Sequence, residues 1–225
     1  MNYTADERAI KQRHANFASA VLHGLAAIAS AAGMVALLWG CRFENDGRMV
    51  FSIVVYGGSL MLALGSSAAY HGTRRWTKNW IFATFDHCAI FLLIAGTYTP
   101  FGLIALHDRG GTSLVATEWA LAFTGIVTRL FWIRRLHQLS IPIYLMMGWL
   151  GLAWSRAFVG TIGATGISLI LIGGAAYTLG VLAYRWQSFA FHNPVWHIFV
   201  ITGAASHFWA IASVLSNAGR SAGMR

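Results

Sequence analysis

Residues 80–106, WIFATFDHCAIFLLIAGTYTPFGLIAL, decide the fold of this chain. Asp86 is the only carboxylate in the run, and no lysine or arginine interrupts it. As an α-helix rising about 1.5 Å per residue, the run is about 40 Å long. That length exceeds the ~30 Å hydrocarbon core of a bilayer, so the stretch predicts a transmembrane helix.

The composition of the whole chain also indicates an integral membrane protein. Of its 225 residues, 57% are hydrophobic and 10% are charged, whereas a soluble domain carries about 25% charged residues. The net charge of +9 lies in short clusters between apolar runs, which is typical of topology signals and argues against a nucleic-acid-binding stripe. Cys41 and Cys88 lie in different segments, so they predict neither a disulfide framework nor a metal knuckle.

Apolar runs of similar length recur along the chain and predict an all-α, seven-helix transmembrane bundle. We expect a tail over residues 1–16, a transmembrane domain over 17–217 and a second tail over 218–225. The predicted spans are 17–40, 50–72, 80–106, 114–133, 139–157, 162–184 and 194–216. The span over 139–157 is the weakest of the seven.

The basic residues predict the orientation of the bundle. The N-terminal tail and the loops after spans 2, 4 and 6 carry ten of the sixteen lysines and arginines. Because cytoplasmic loops are enriched in basic residues, the N-terminus is expected in the cytoplasm and the C-terminus outside.

The span directions bring several polar side chains to one level near the cytoplasmic face. Such residues are costly within a membrane unless they pair or coordinate, so each is a candidate for function. The residues at this level are His23, Ser67, His71, Asp86, His192 and His197. Glu118, near the outer end of span 4, is instead expected to extend to the membrane interface.

This set of side chains suits a zinc ion, because three imidazoles and a water form a common catalytic zinc site. Asp86 could then act as a general base or orient a ligand, and Ser67 could hydrogen-bond the bound water. The simpler alternative is that each histidine is an interfacial residue and that Asp86 pairs with Lys78 or Arg75.

Four stretches of the chain resemble the hemolysin III branch of the PAQR (progestin and adipoQ receptor) family. The resemblance covers about residues 17–212 and implies a multi-pass protein of the bacterial plasma membrane with seven helices and a cytoplasmic N-terminus. The stretches are SSAAYH (66–71), FDHCAIFLLIAGTYTPF (85–101), MGWLGL (147–152) and VWHIFVITGAASHF (195–208).

The resemblance also implies a zinc site built from three histidines. His71 matches the ligand on helix 2 and Ser67 matches the serine of the same motif. Asp86 matches an aspartate on helix 3 near the metal-bound water, and His197 matches the second ligand on helix 7. On helix 1, Asn16 and Ser19 stand where relatives often carry Glu and Asn.

The third ligand departs from the family pattern. Four residues before His197 stands Asn193, and the histidine is displaced to His192. Asn193 and Pro194 predict an N-cap and a first helical residue, which would leave His192 in the preceding loop and free to fold toward the metal. His192, Asn193 and His207 remain the candidates for this position.

The sequence therefore predicts a zinc-dependent hydrolase of ceramidase-like type, acting on an amide or ester of a membrane lipid. A non-enzymatic sensor or a pore-forming protein is the alternative, and haem ligation by helix histidines is a weaker one. The sequence decides neither the substrate nor the oligomeric state.

Overall fold

The structure is a computed structural model that describes residues 4–41, 46–73, 80–131, 139–186, 188 and 191–222. Within these ranges the regular structure is helical throughout. The α-helices are α1 (Ala5–Gly40), α2 (Gly47–Thr73), α3 (Trp80–Pro100), α4 (Gly111–Phe131), α5 (Ser140–Trp149), α6 (Ser155–Arg185) and α7 (His192–Ala222). A π-helical turn, Phe101–Ala105, continues α3, and a 3-10 segment, Leu150–Trp154, joins α5 to α6.

Six helical segments of the described ranges are long and apolar enough to cross a membrane, which confirms a polytopic helical membrane protein. They are Ala9–Gly40, Gly47–Thr73, Trp80–Ala105, Gly111–Phe131, Ser140–Arg185 and His192–Gly219. Large apolar side chains such as Phe17, Ile28 and Phe123 are exposed on the outer surface. Hydrocarbon chains solvate such groups, whereas water does not.

Helix α1 begins well before the first apolar run. Thr4 accepts a hydrogen bond from the Glu7 backbone N–H at 3.3 Å, and the Glu7 carboxylate accepts one from the Thr4 backbone N–H at 2.8 Å. This capping box fixes the first turn, and the two hydrogen bonds from Thr4 lower the pKa of Glu7. Residues 5–16 are therefore part of α1.

The longest of the six segments, Ser140–Arg185, folds back on itself. Gly163 interrupts it with φ 75° and ψ 169°, a backbone conformation that is essentially confined to glycine. Trp149 donates a hydrogen bond from Nε1 to Thr178 Oγ1 at 3.1 Å. A continuous helix would separate these two residues by about 43 Å, so the halves on either side of Gly163 lie against each other.

Glycines allow the α6 and α7 backbones to approach closely. A Cβ added to Gly173 would collide with the His207 ring, and one added to Gly180 would lie 2.8 Å from Phe199 Cβ. Ser206 donates to the Leu169 carbonyl at 2.7 Å across the same interface. Helix α1 packs against both α2 and α7, and this arrangement gathers the histidines of three helices.

Candidate functional site

Three buried histidines from α1, α2 and α7 form a cluster. The Nε2 atoms of His71 and His197 are 3.0 Å apart, and their ring centroids are separated by 4.7 Å. The His23 ring lies edge-on to His197 with the centroids 4.1 Å apart. The exposed fractions are 3% for His23, 5% for His71 and 4% for His197. We call these three residues the histidine cluster.

The helix geometry explains how the cluster forms. His71 lies in the last turn of α2, and His197 lies in the second turn of α7, which begins at His192. The C-terminal end of α2 and the N-terminal end of α7 therefore lie at the same level, and α1 packs against both helices. Position 23 on α1 then brings a third imidazole to the same place.

Several nitrogens of the cluster are enclosed without a hydrogen-bond partner within the described residues. They are Nδ1 and Nε2 of His23 and Nδ1 of His197. Buried polar groups are nearly always hydrogen-bonded, and each one left unsatisfied costs about 1–3 kcal/mol. The cluster therefore offers nitrogen donors that an ion or a water would satisfy.

The donor set fits zinc in part. Two Zn–N bonds of about 2.0–2.1 Å at a tetrahedral angle place the nitrogens about 3.3 Å apart, which is close to the 3.0 Å between His71 and His197. Across the described ranges, no group of three or more His, Cys, Asp or Glu side chains is already arranged to hold a metal. His23 would complete a three-histidine set only after its ring turned toward the other two.

Ser67 and Asp86 lie beside the histidine cluster. Ser67 is one helical turn before His71 on the same buried face of α2 and is 3% exposed. The Asp86 carboxyl lies near the Ser67 hydroxyl and the Arg129 guanidinium. Ser67, Asp86 and the three histidines all line one cavity, so the structure brings together most of the residues that the sequence selected.

His192 and His207 line the same cavity as the cluster, but their described contacts are with other residues. Helix α7 begins at His192 and not at Pro194, the start that the sequence predicts. The His192 ring faces Tyr184 at 6.2 Å, and His207 Nε2 lies 3.2 Å from the Ile170 carbonyl on α6. The third imidazole next to His197 is thus His23, which the sequence placed at the right level but did not select as a ligand.

The cavity that contains the cluster has a volume of about 1270 Å³. From the cluster it extends along apolar walls formed by Leu93, Ile94, Phe101, Phe158, Ile167 and Leu171. Small-molecule pockets usually enclose about 300–1,000 Å³, so this one has room for a long apolar chain. Its polar groups include Ser67, Asp86, Arg129 and Tyr144.

Two charged residues of α4 lie where the sequence did not place them. Glu118 is 0% exposed, and neither carboxylate oxygen has a hydrogen-bond partner among the described residues. The expectation that it extends to the interface is wrong. Arg129 is one of the ten basic residues from which the orientation is predicted, but it is 6% exposed and lines the cavity.

A helical pattern could have located both residues. Glu118, Ala122, Gly125 and Arg129 follow one another at intervals of four, three and four residues, which places them on one face of α4. A Cβ added to Gly125 would collide with the Phe91 ring of α3, so this face is directed into the bundle. The small residues Ala122 and Gly125, which lie between the two charged residues, are the feature of the sequence that indicates a face directed into the bundle.

Fold and site together define a polytopic α-helical membrane protein with a histidine cluster buried between its helices. The chain belongs to the haemolysin-III-related family, whose model matches residues 11–208. The resemblance to the hemolysin III branch of the PAQR family is thereby confirmed.

Individual relatives agree with this assignment. The chain is 35% identical over 194 residues to Hemolysin-3 from Bacillus cereus, covering 86% of this chain and 89% of the relative. It is 35% identical over 195 residues to a Hemolysin-3 homolog from Bacillus subtilis (strain 168), with 86% and 91% covered. It is also 27% identical over 186 residues to the human monocyte to macrophage differentiation factor, with 76% and 73% covered.

Proposed function

We propose that this haemolysin-III-related protein is a zinc-dependent hydrolase that cleaves an amide or ester bond of a membrane lipid. The observation that carries the proposal is the 3.0 Å approach of His71 Nε2 to His197 Nε2. The two imidazoles belong to a buried cluster that shares a cavity with a carboxyl group, a hydroxyl group and long apolar walls. A metal-dependent lipid hydrolase needs this combination of groups.

The topology belongs to the same proposal: seven spans, with the N-terminus in the cytoplasm of a bacterium and the bundle in its plasma membrane. The contact between Trp149 and Thr178 supports two antiparallel spans within Ser140–Arg185. The distribution of basic residues supports the orientation. On this topology, the histidine cluster lies near the cytoplasmic face.

His71, His197 and His23 would hold the ion. Zinc bound there would supply a Lewis acid and a water that ionises near neutral pH. The Asp86 carboxylate is the group near this position that can accept a proton and later return it to the leaving group. The neighbouring Ser67 hydroxyl can donate a hydrogen bond to the carboxylate and keep it oriented. Packing of α1, α2 and α7 excludes bulk water from the cluster.

The cavity supports a lipid as the substrate. Its apolar walls can bury an acyl chain, and burial contributes about 0.8 kcal/mol per methylene. An acyl chain that lies along these walls would place its carbonyl beside the histidine cluster. The remote chain would thus supply binding energy that positions the scissile bond.

Metal analysis tests the proposal directly. We expect about one zinc per chain in the purified wild-type protein and a loss of that zinc in His71→Ala and His197→Ala, because each variant removes a nitrogen ligand. His107→Ala is the matched control, since His107 is an exposed histidine whose Nδ1 contacts Asp108 at 2.7 Å. Zinc absent from the wild type, or retained in His71→Ala, would refute the metal site.

The name of the bacterial relatives, Hemolysin-3, raises pore formation as the second candidate. The charged and histidine side chains that line the cavity argue against it, because on the proposed topology all of those described except His207 lie near the cytoplasmic face. Conductance in reconstituted bilayers that persists after chelation would favour the pore. Hydrolysis of lipid that stops on chelation would favour the enzyme.

A further inference from the structure

We infer that Arg129 binds the phosphate of an anionic lipid, so that the substrate of this site carries a negatively charged head group. The inference rests on the proposed hydrolase function and adds a substrate class to it. It starts from a buried guanidinium group that the proposed chemistry does not use.

Arg129 is buried and incompletely satisfied. It lies in the last turn of α4 and is 6% exposed. Its Nε and Nη1 atoms are enclosed and have no hydrogen-bond partner among the described residues. A guanidinium group carries five N–H donors and keeps its charge in proteins, and a buried charge without a partner costs several kcal/mol. A bound anion would remove that cost.

No side chain of the described chain supplies this anion. Asp86 is close enough to interact electrostatically with Arg129, yet no ion pair within 4.0 Å joins these two described residues. Arg185 also lines the cavity and adds a second positive charge. Glu118 lies on the same face of α4, but three helical turns away, and does not line the cavity. The described part of the cavity therefore has an excess of positive charge.

The direction of Arg129 distinguishes it from an ordinary basic residue at a helix end. Such residues usually extend along the surface and reach water. The surface of α4 near this point is formed by Leu130 and Phe131, which are 50% and 75% exposed. Arg129 instead follows Ala122 and Gly125 on the buried face, so its guanidinium enters the bundle.

The neighbouring groups favour a phosphate ester. Ser140 is 8% exposed and lines the same cavity, and its hydroxyl can donate a hydrogen bond to a bound oxyanion. The planar fork of a guanidinium binds two oxygens of one phosphate group at once. Asp86 lies near both Ser67, beside the cluster, and Arg129, so a lipid whose phosphate binds Arg129 would have its linking ester close to Asp86 and the cluster.

A binding experiment tests this inference separately from hydrolysis. The full-length protein, in nanodiscs of phosphatidylcholine, is titrated with dioctanoyl phosphatidic acid and with the uncharged dioctanoylglycerol. We expect the wild type to bind the phosphate-bearing lipid at least tenfold more tightly. Arg129→Met should remove this preference, Arg129→Lys should reduce it, and the control Arg109→Met, which changes an exposed arginine, should keep it.

Equal binding of the two lipids by the wild type, or an unchanged preference in Arg129→Met, would overturn the inference. Stronger binding of octanoate than of the phosphatidic acid would assign Arg129 to the carboxylate product and would also overturn it. Inorganic phosphate that competes as well as the lipid would show an ion site without lipid selectivity and would likewise overturn the inference. If Arg129→Met does not fold, the result for Arg129→Lys decides.

Zinc content, measured on the same samples, separates the two proposals. A preference for phosphatidic acid that depends on Arg129, in a protein without zinc, would refute the hydrolase and leave the anion site standing. Zinc and lipid hydrolysis without any such preference would refute the anion site and leave the hydrolase.

Discussion

At the scale of single residues, the structure adds most at the third imidazole of the histidine cluster, which the sequence did not select. His23 packs against His197 with ring centroids 4.1 Å apart, whereas His192 faces Tyr184. Depth in the membrane follows from span direction and can be read from sequence. The direction in which a ring points depends on where α7 begins. Because His192 lies inside the helix, it diverges from His197 by about 140° around the helix axis.

We therefore expect His23→Ala to weaken zinc binding more than His192→Ala. Removal of a direct ligand should cost more than the ~10–100-fold loss of affinity that is typical of changes in the outer shell. Competition with a fluorescent chelator measures both variants against the wild type. A large loss of zinc affinity in His192→Ala, with none in His23→Ala, would identify His192 and not His23 as the third ligand.

Glu118 shows a second limit of sequence reasoning at this scale. A charged residue near the end of an apolar run usually extends to the interface, and the sequence analysis used that rule. The structure buries Glu118 completely on the face of α4 that also carries Ala122 and Gly125. The small residues show that this face packs against other helices. They predict the burial of Glu118 better than its position near the end of the span does.

The elements themselves follow closely from the pattern of hydrophobic residues. The predicted spans over 50–72 and 80–106 correspond to Gly47–Thr73 and Trp80–Ala105. Two features escaped prediction because hydropathy does not register them. The π-helical turn after Pro100 stays apolar throughout, and the helical break at Gly163 falls one residue inside the span predicted over 162–184.

Gly163 should therefore be sensitive to substitution. Its φ of 75° and ψ of 169° are nearly inaccessible to other residues, so Gly163→Ala should destabilise the fold by about 1–3 kcal/mol. Gly58→Ala is the matched control, because a Cβ at this helical glycine meets nothing within 4 Å. Thermal unfolding in one detergent measures both, and an equal effect of the two changes would contradict the proposed turn.

At the scale of the whole molecule, the number of spans decides on which side of the membrane the C-terminus lies. The six apolar segments become seven spans if Ser140–Arg185 crosses the membrane twice. The hydrogen bond between Trp149 and Thr178 favours two crossings, because it requires the flanking helices to lie side by side. An odd number of spans places the two termini on opposite sides.

Labelling of single cysteines in intact bacteria tests this topology. With Cys41 and Cys88 replaced by serine, Asn2→Cys should be protected from a membrane-impermeant maleimide and Met224→Cys should react. The positive-inside rule predicts this orientation, and a short loop at Gly163 permits it. Reaction at both termini, or at neither, would mean an even number of spans. Reaction at residue 2 alone would reverse the bundle and move the histidine cluster to the outer face.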